Sequence, residues 1–172
     1  SATPRLEPIS RLVDEGKWDE AERRYLLEIE RSSSSQALND LGVLYFRKGD
    51  NQKGQLFFSR AINASPPYLR SFFNRGILLA RMGKYVDAAR DYETFLDSFP
   101  NHFEASYNLG VAYIKLERYE RAVDVLKKAS SLAGGERKAK ALYNMGIAYR
   151  RMGRKWSTEA RDAMNRAIRL KP

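Results

Sequence analysis

The chain has 172 residues, with 31 Lys and Arg against 21 Asp and Glu and a formal net charge of +10 at pH 7. A composition of 43% hydrophobic and 30% charged residues is too apolar for a disordered polyelectrolyte, and the lack of cysteine excludes disulfides, thiolate metal sites and a cysteine nucleophile. Charged residues interrupt every apolar segment, so we expect a folded, soluble chain without a membrane span.

Residues 1–34 predict a short helix followed by a longer one. Proline is tolerated only in the first turn of a helix, so Pro8 predicts a short helix over residues 8–15. Gly16 and Trp18 then mark a turn, and Ala21 begins an apolar pattern with helical spacing.

From residue 35 onward the sequence repeats itself. An Asn or Asp stands two residues before a glycine four times, and the glycines, 34, 34 and 36 residues apart, are Gly42, Gly76, Gly110 and Gly146. A turn residue follows seven positions after each of them, at Gly49, Gly83, Glu117 and Gly153. Apolar residues on both sides of this turn recur at spacings of three and four, which predicts two antiparallel helices per unit. Since glycine inside a helix costs about 1 kcal/mol relative to alanine, its recurrence indicates close helix–helix packing.

This pattern resembles the tetratricopeptide repeat family, whose 34-residue helix–turn–helix unit carries a Leu-Gly pair followed by an aromatic residue. Leu41-Gly42 with Tyr45 and Leu109-Gly110 with Tyr113 match it, whereas Arg75-Gly76 and Glu117 depart from it. The resemblance implies an all-α, right-handed superhelical solenoid of antiparallel helix pairs. Residues 1–34 would form a degenerate amino-terminal partial repeat, and residues 35–172 four units, at 35–68, 69–102, 103–138 and 139–172.

Candidates for catalytic chemistry are few. His102 is the single histidine, and its position in the turn after Pro100 predicts a solvated loop residue. A zinc site lacks candidate ligands, and no phosphate-binding GxxxxGK[ST] motif occurs. We therefore predict a non-catalytic protein that needs no metal or cofactor.

The polar residue before each glycine is the first candidate binding feature. In the solenoid that the resemblance implies, the first helices line the concave face, and this residue lies roughly 160° around its helix from the packing glycine. A row of four, here called the ladder residues, is predicted along the groove: Asp40, Asn74, Asn108 and Asn144. A primary amide can donate to and accept from one peptide unit, and the row resembles the asparagine ladder of some tetratricopeptide arrays. The alternative is that these side chains are merely solvated.

Two further rows accompany the ladder residues. Aromatic residues immediately precede three of them, at Phe73, Tyr107 and Tyr143. They are either core residues or a partly exposed groove wall. Cations follow seven residues after each, at Arg47, Arg81, Lys115 and Arg151. The helix dipole favours cations there in any case, but if this row is functional, its ligand is acidic.

Positive charge is concentrated in the last unit. Residues 135–172 hold 11 Lys and Arg against 3 Asp and Glu, and the predicted basic patch comprises Arg137, Lys138, Lys140, Arg150, Arg154 and Lys155. Such a cluster is either a solvated end face or a contact surface. The sequence therefore favours a scaffold that binds an extended, neutral-to-acidic peptide or an assembly subunit. The alternatives are a nucleic-acid or anionic-surface binder, which we rank lower, and self-association through exposed ends.

Overall fold

A computed structural model describes residues 7–171, and within them it contains ten α-helices and no strand. The helices are α1 Ile9–Asp14, α2 Trp18–Ser32, α3 Ser35–Lys48, α4 Asn51–Ile62, α5 Arg70–Arg81, α6 Tyr85–Ser98, α7 Phe103–Lys115, α8 Tyr119–Ser131, α9 Gly135–Arg151 and α10 Ser157–Leu170. The predicted all-α class is confirmed. Residues 1–6 of the predicted partial repeat lie outside the described residues.

The chain divides into two compact parts between Leu78 and Leu79, within α5. In the first part α1 packs on α2, α2 on α3 and α3 on α4. The predicted short first helix is confirmed, with Pro8 at the N-cap of α1, and the indole nitrogen of Trp18 donates to the carbonyl oxygen of Val13 at 3.1 Å. This bond closes the corner between α1 and α2.

The second part contains the end of α5 and helices α6 to α10. Here α6 packs on α7, α7 on α8, α8 on α9 and α9 on α10. Its largest fully buried side chains are Tyr92, Phe95, Tyr113, Leu126 and Leu142. The helices of each pair are held by these apolar contacts, which exclude water from the space between them.

The glycine repeat marks sites of close helix contact, as the sequence predicts. A Cβ atom placed on Gly42 would lie 2.7 Å from Cδ1 of Phe58, and one on Gly146 would lie 2.7 Å from Cγ of Met164. These separations are well below the 3.5–4.0 Å of an ordinary carbon contact, so no larger residue fits without movement. Because glycine has no side chain, a residue of the second helix occupies the space that a Cβ atom on the first helix would need.

The turn between α7 and α8 departs from its equivalents. Gly49 and Gly83 adopt the left-handed conformation in the corresponding turns, and Glu117 adopts it with φ of +58°. For a residue with a Cβ this conformation costs roughly 1–2 kcal/mol. The turn keeps its geometry although its residue type is unfavourable.

Helix α9 begins earlier than the predicted unit boundary. It starts at Gly135, so the boundary predicted between residues 138 and 139 lies about one turn inside the helix. The reason is the Gly134-Gly135 pair, in which Gly135 has φ of +55° and lets the chain turn directly into the helix. As a result α9 has 17 residues, against 13 in α7.

Candidate functional site

In the first part, the two ladder residues are joined through a buried asparagine. The side-chain oxygen of Asn39 accepts from Nδ2 of Asn74 at 2.9 Å and from Oγ of Ser71 at 3.0 Å. Nδ2 of Asn39 in turn donates to Asp40 at 3.1 Å. Asn39 is not among the sequence-predicted site residues, although a polar residue beside Leu38 on the buried stripe of α3 is a signal of a buried hydrogen-bond network.

The second part contains the equivalent link. Tyr107 and Asn144 occupy the repeat positions of Asn39 and Asn74, and Nδ2 of Asn144 donates to the Tyr107 hydroxyl at 3.1 Å. The same nitrogen donates to the carbonyl oxygen of Lys140 at 3.0 Å. In each part, therefore, a ladder amide donates to the residue that precedes the ladder residue of an earlier repeat.

Asn108 makes a different contact. Phe73 stands at the position of Asn39 and Tyr107 and carries no hydrogen-bonding group. Asn108 instead hydrogen-bonds to the Tyr92 hydroxyl. Burial raises the pKa of Tyr92, and the hydrogen bond from Asn108 opposes that rise only in part. The ladder asparagines are thus half-buried and hydrogen-bonded within the protein.

The link between Tyr107 and Asn144 leaves one donor and one acceptor available. Both Nδ2 protons of Asn144 are used, and its Oδ1 accepts no hydrogen bond from residues 7–171. The Tyr107 hydroxyl accepts from Asn144 and keeps its own proton for donation. The sequence predicts both groups on a single amide, whereas the available donor and the available acceptor lie on two residues of α7 and α9.

Two cavities meet at Asn144. The first, of about 410 Å³ and here called the aromatic cavity, is lined by Tyr107, Ala139, Lys140, Tyr143, Asn144, Ala167, Ile168 and Lys171. The second, of about 370 Å³ and here called the cationic cavity, is lined by Val111, Ile114, Lys115, Glu117, Tyr119, Asn144, Ile147 and Arg151. The structure thus brings six of the sequence-predicted site residues to two adjoining cavities of the second part: Tyr107, Lys115, Lys140, Tyr143, Asn144 and Arg151.

The aromatic residues differ in exposure. Phe73 is half-buried, and Tyr107 is half-buried against the core that contains Phe103 and Ala129. Tyr143 is 54% exposed, which is unusual for a large side chain on a first helix. Of the three, Tyr143 is therefore the one most open to a ligand.

The cation row has one member near the first ladder residue. Arg47 lines a cavity of about 240 Å³ together with Asp14, Tyr25 and Asp40, and its guanidinium lies 3.9 Å from the Asp14 carboxylate. Burial raises the pKa of Asp40, and burial together with the Asp40 charge raises the pKa of Tyr25 to about 12. This end of the ladder presents a carboxylate where the other ladder residues present amides. Arg81 is exposed on α5.

Two residues of the basic patch form ion pairs within the protein. Arg137 pairs with Glu104 and lies over the Phe103 ring at 4.4 Å, and Lys140 pairs with Glu136 at 3.0 Å. Lys138 is half-buried, whereas Arg150, Arg154 and Lys155 are exposed. The nearby rings of Tyr149 and Trp156 stack on each other at 5.5 Å. Each of these two rings therefore has one face occupied by protein.

Two further sequence expectations bear on chemistry. His102 is not a solvated loop residue, because it is half-buried at the N-cap of α7, where its Nδ1 accepts from the amide of Ala105 at 3.2 Å. Across residues 7–171, no three histidine or acidic side chains are grouped as a metal site requires. Within the same range, no helix combines the length and apolar character that crossing a membrane demands.

Stacked helix pairs joined by glycine contacts and repeated amide bonds define a helical repeat protein. Models of the tetratricopeptide repeat match residues 9–68, 73–137 and 140–172, and the chain therefore belongs to the tetratricopeptide repeat family. The fold of this family is typical of protein–protein interaction scaffolds, and the family is generally non-catalytic.

Curated relatives match over part of their length. Human anaphase-promoting complex subunit 7 is 33% identical over 135 residues, which cover 78% of this chain and 23% of that protein. The CTR9 homologue of Arabidopsis thaliana is 26% identical over 118 residues, which cover 66% of this chain and 11% of that protein. Photosystem I assembly protein Ycf3 of Prochlorococcus marinus (strain NATL2A) is 27% identical over 116 residues, covering 59% and 66%. The chain thus spans less than a quarter of the first two relatives.

Solved structures share the fold over nearly the whole chain. The crystal structure of MamA gives a TM-score of 0.85 at 17% identity, covering 96% of this chain and 95% of that one. The structure of YrrB, a tetratricopeptide repeat protein, gives a TM-score of 0.82 at 20% identity, covering 95% of this chain and 83% of that one. At these identities the likeness establishes the fold alone, and it confirms the predicted class of antiparallel helix pairs.

Proposed function

We propose that this chain is a non-catalytic scaffold that binds an extended peptide segment of a partner protein along its first helices. The ladder residues Asp40, Asn74, Asn108 and Asn144 would contact the peptide backbone. The observation that carries the proposal is the unused donor of Tyr107 and the unused acceptor of Asn144, which line the aromatic cavity together.

A peptide unit matches this pair because it offers one N–H donor and one C=O acceptor. Asn144 Oδ1 would accept from the peptide N–H, and the Tyr107 hydroxyl would donate to a peptide carbonyl. Such contacts hold a backbone without selecting its sequence, and each contributes about 0.5–1.5 kcal/mol. The fold likeness to YrrB adds support, since that solved protein has an unusual peptide-binding site.

The test begins with selection of a display library of short random peptides on the purified chain. Selected peptides are then titrated against wild type and against a double variant, Asn108→Ala with Asn144→Ala. Losing two hydrogen bonds should weaken binding roughly five- to hundred-fold. Asn165→Ala, an exposed amide on α10 outside both cavities, is the matched control and should bind as wild type does.

Circular dichroism spectra and melting curves of each variant separate loss of binding from loss of fold. If no peptide is enriched on the wild-type chain, or if the selected peptides bind the double variant with unchanged affinity, the proposed site is wrong.

The nucleic-acid alternative makes a contrasting prediction. Binding through exposed arginines would release counterions, so log affinity would fall with log salt at a slope of about 0.7–0.9 per phosphate contact. Because Tyr149 and Trp156 stack on each other, we expect labelled single-stranded RNA to bind only weakly and at low salt. Submicromolar binding at roughly 150 mM salt, where distant charges are screened, that is lost in Arg150→Glu with Arg154→Glu, would move the function to the basic patch.

A further inference from the structure

We infer that the peptide bound at this site carries an acidic side chain and a large apolar side chain on opposite sides of the unit held by Tyr107 and Asn144. The inference rests on the proposed function and specifies its ligand. It follows from the different chemistry of the two cavities that Asn144 separates.

The aromatic cavity is suited to an apolar side chain. Ile168 is 68% exposed and Tyr143 is 54% exposed, and both lie in its wall with Tyr107. Two large apolar side chains open to water in one concavity favour a ligand that removes them from water. A volume of about 410 Å³ is ample for a leucine or phenylalanine side chain.

The cationic cavity is suited to a carboxylate. Neither Lys115 nor Arg151 forms an ion pair with any residue in 7–171, and Glu117 is the one acidic residue in the cavity wall. An unpaired guanidinium can bind a carboxylate through two parallel hydrogen bonds. Apolar atoms of Ile114 and Ile147 line the same space and would contact the methylene groups of a glutamate.

The position of Asn144 sets the spacing of the two ligand residues. Because Asn144 lines both cavities, a peptide unit bound to its amide oxygen has one cavity on each side. Neighbouring side chains of an extended peptide point in opposite directions and are about 3.3 Å apart along the chain. The acidic and apolar residues should therefore be adjacent in the peptide sequence.

Charge reversal of the cationic cavity provides the test. The peptide library is selected in parallel on wild type and on Lys115→Glu with Arg151→Glu. Wild type should enrich Asp or Glu beside a large apolar residue, and the reversed variant should enrich Lys or Arg at the acidic position while keeping the apolar one.

Two further variants make the result specific. Arg154→Glu with Lys155→Glu applies the same change in charge outside both cavities, and it should leave the acidic preference intact. Tyr143→Ala with Ile168→Ala should keep the acidic preference and lose the apolar one. In titrations, a peptide selected on wild type should bind the reversed variant roughly ten- to hundred-fold more weakly.

The possible failures are distinguishable. Peptides that need Asn108 and Asn144 but show no acidic preference, or that keep it after reversal of Lys115 and Arg151, would overturn the inference and leave the proposed function standing. The absence of any enriched peptide on wild type would overturn both. A switch of preference produced equally by Arg154→Glu with Lys155→Glu would show that net charge acts without the cavity, which also overturns the inference.

Discussion

The contact between α7 and α8 at Gly110 leaves no room for a side chain, and replacing Gly110 should reveal this in stability. A Cβ at Gly110 would lie 2.6 Å from Cδ2 of Leu126, which has no exposed surface. An ordinary carbon contact needs about 3.5–4.0 Å, so the overlap is roughly 1 Å. Alanine should gain about 1 kcal/mol of helix propensity, and overpacking should offset this by about 1–3 kcal/mol.

Leucine at Gly110 should cost more than alanine because three further carbons must enter the same filled space. We expect Gly110→Leu to destabilise the chain by about 3 kcal/mol. That corresponds to a fall of roughly 6–12 °C in melting temperature for a chain of this size. Thermal and urea unfolding, followed by far-UV circular dichroism, measure the change.

A double-mutant cycle isolates the contact itself. Leu126→Ala alone should cost about 2–5 kcal/mol through its cavity. Gly110→Ala places a methyl group in that cavity, so the pair should be less destabilised than the sum of the single variants, by at least about 0.5 kcal/mol. An unchanged melting temperature for Gly110→Leu, or strict additivity in the cycle, would refute close packing at Gly110.

Three other changes test separate features. Glu117 has a left-handed backbone conformation that is strained for a residue with a Cβ atom, so Glu117→Gly should raise the free energy of unfolding by about 1 kcal/mol, whereas Glu117→Ala should give no gain. Thermal unfolding compares the two variants, and equal stability of the glycine and alanine variants would contradict the strain. The Tyr45 hydroxyl donates to Glu22 at 2.6 Å and lowers the Glu22 pKa, so this bond stabilises the fold above the ordinary glutamate range and is lost as pH falls through the lowered folded pKa. The stability difference between wild type and Tyr45→Phe should thus shrink as the pH falls below the ordinary glutamate range in urea titrations, and a constant difference would exclude the linkage. Asn39→Leu should destabilise by about 1–3 kcal/mol because it leaves the Ser71 hydroxyl without its acceptor; chemical unfolding measures it, and a neutral result would show that water replaces the bond.

The fold could be predicted from the sequence because its information is local and periodic. The spacing of Gly42, Gly110 and Gly146 identifies close helix contacts without knowledge of the partner atoms, and the structure supplies those atoms in Phe58, Leu126 and Met164. The start of α9 could not be predicted in this way, because no apolar spacing there distinguishes a helical turn from a loop. The Gly134-Gly135 pair sets where this helix begins.

The hydrogen bonds of the candidate site could not be predicted in the same way. The partner of a ladder amide depends on a residue about 35 positions earlier, and the repeat pattern gives that residue no fixed type. It is asparagine at 39, phenylalanine at 73 and tyrosine at 107. His102 shows a similar limit, because its role as a cap depends on the rotamer that brings Nδ1 to an amide. The two cavities depend on the same kind of long-range placement.

The amide bonds from Asn74 to Asn39 and from Asn144 to Tyr107 run in one direction, from a later repeat to an earlier one. Repeats with one backbone shape are therefore not interchangeable parts. A duplication or deletion that preserved every helix pair would still have to place an acceptor one repeat before each amide donor, or leave a polar group unpaired. The order of the repeats is encoded in side-chain chemistry, and this limits which rearrangements of the array can persist.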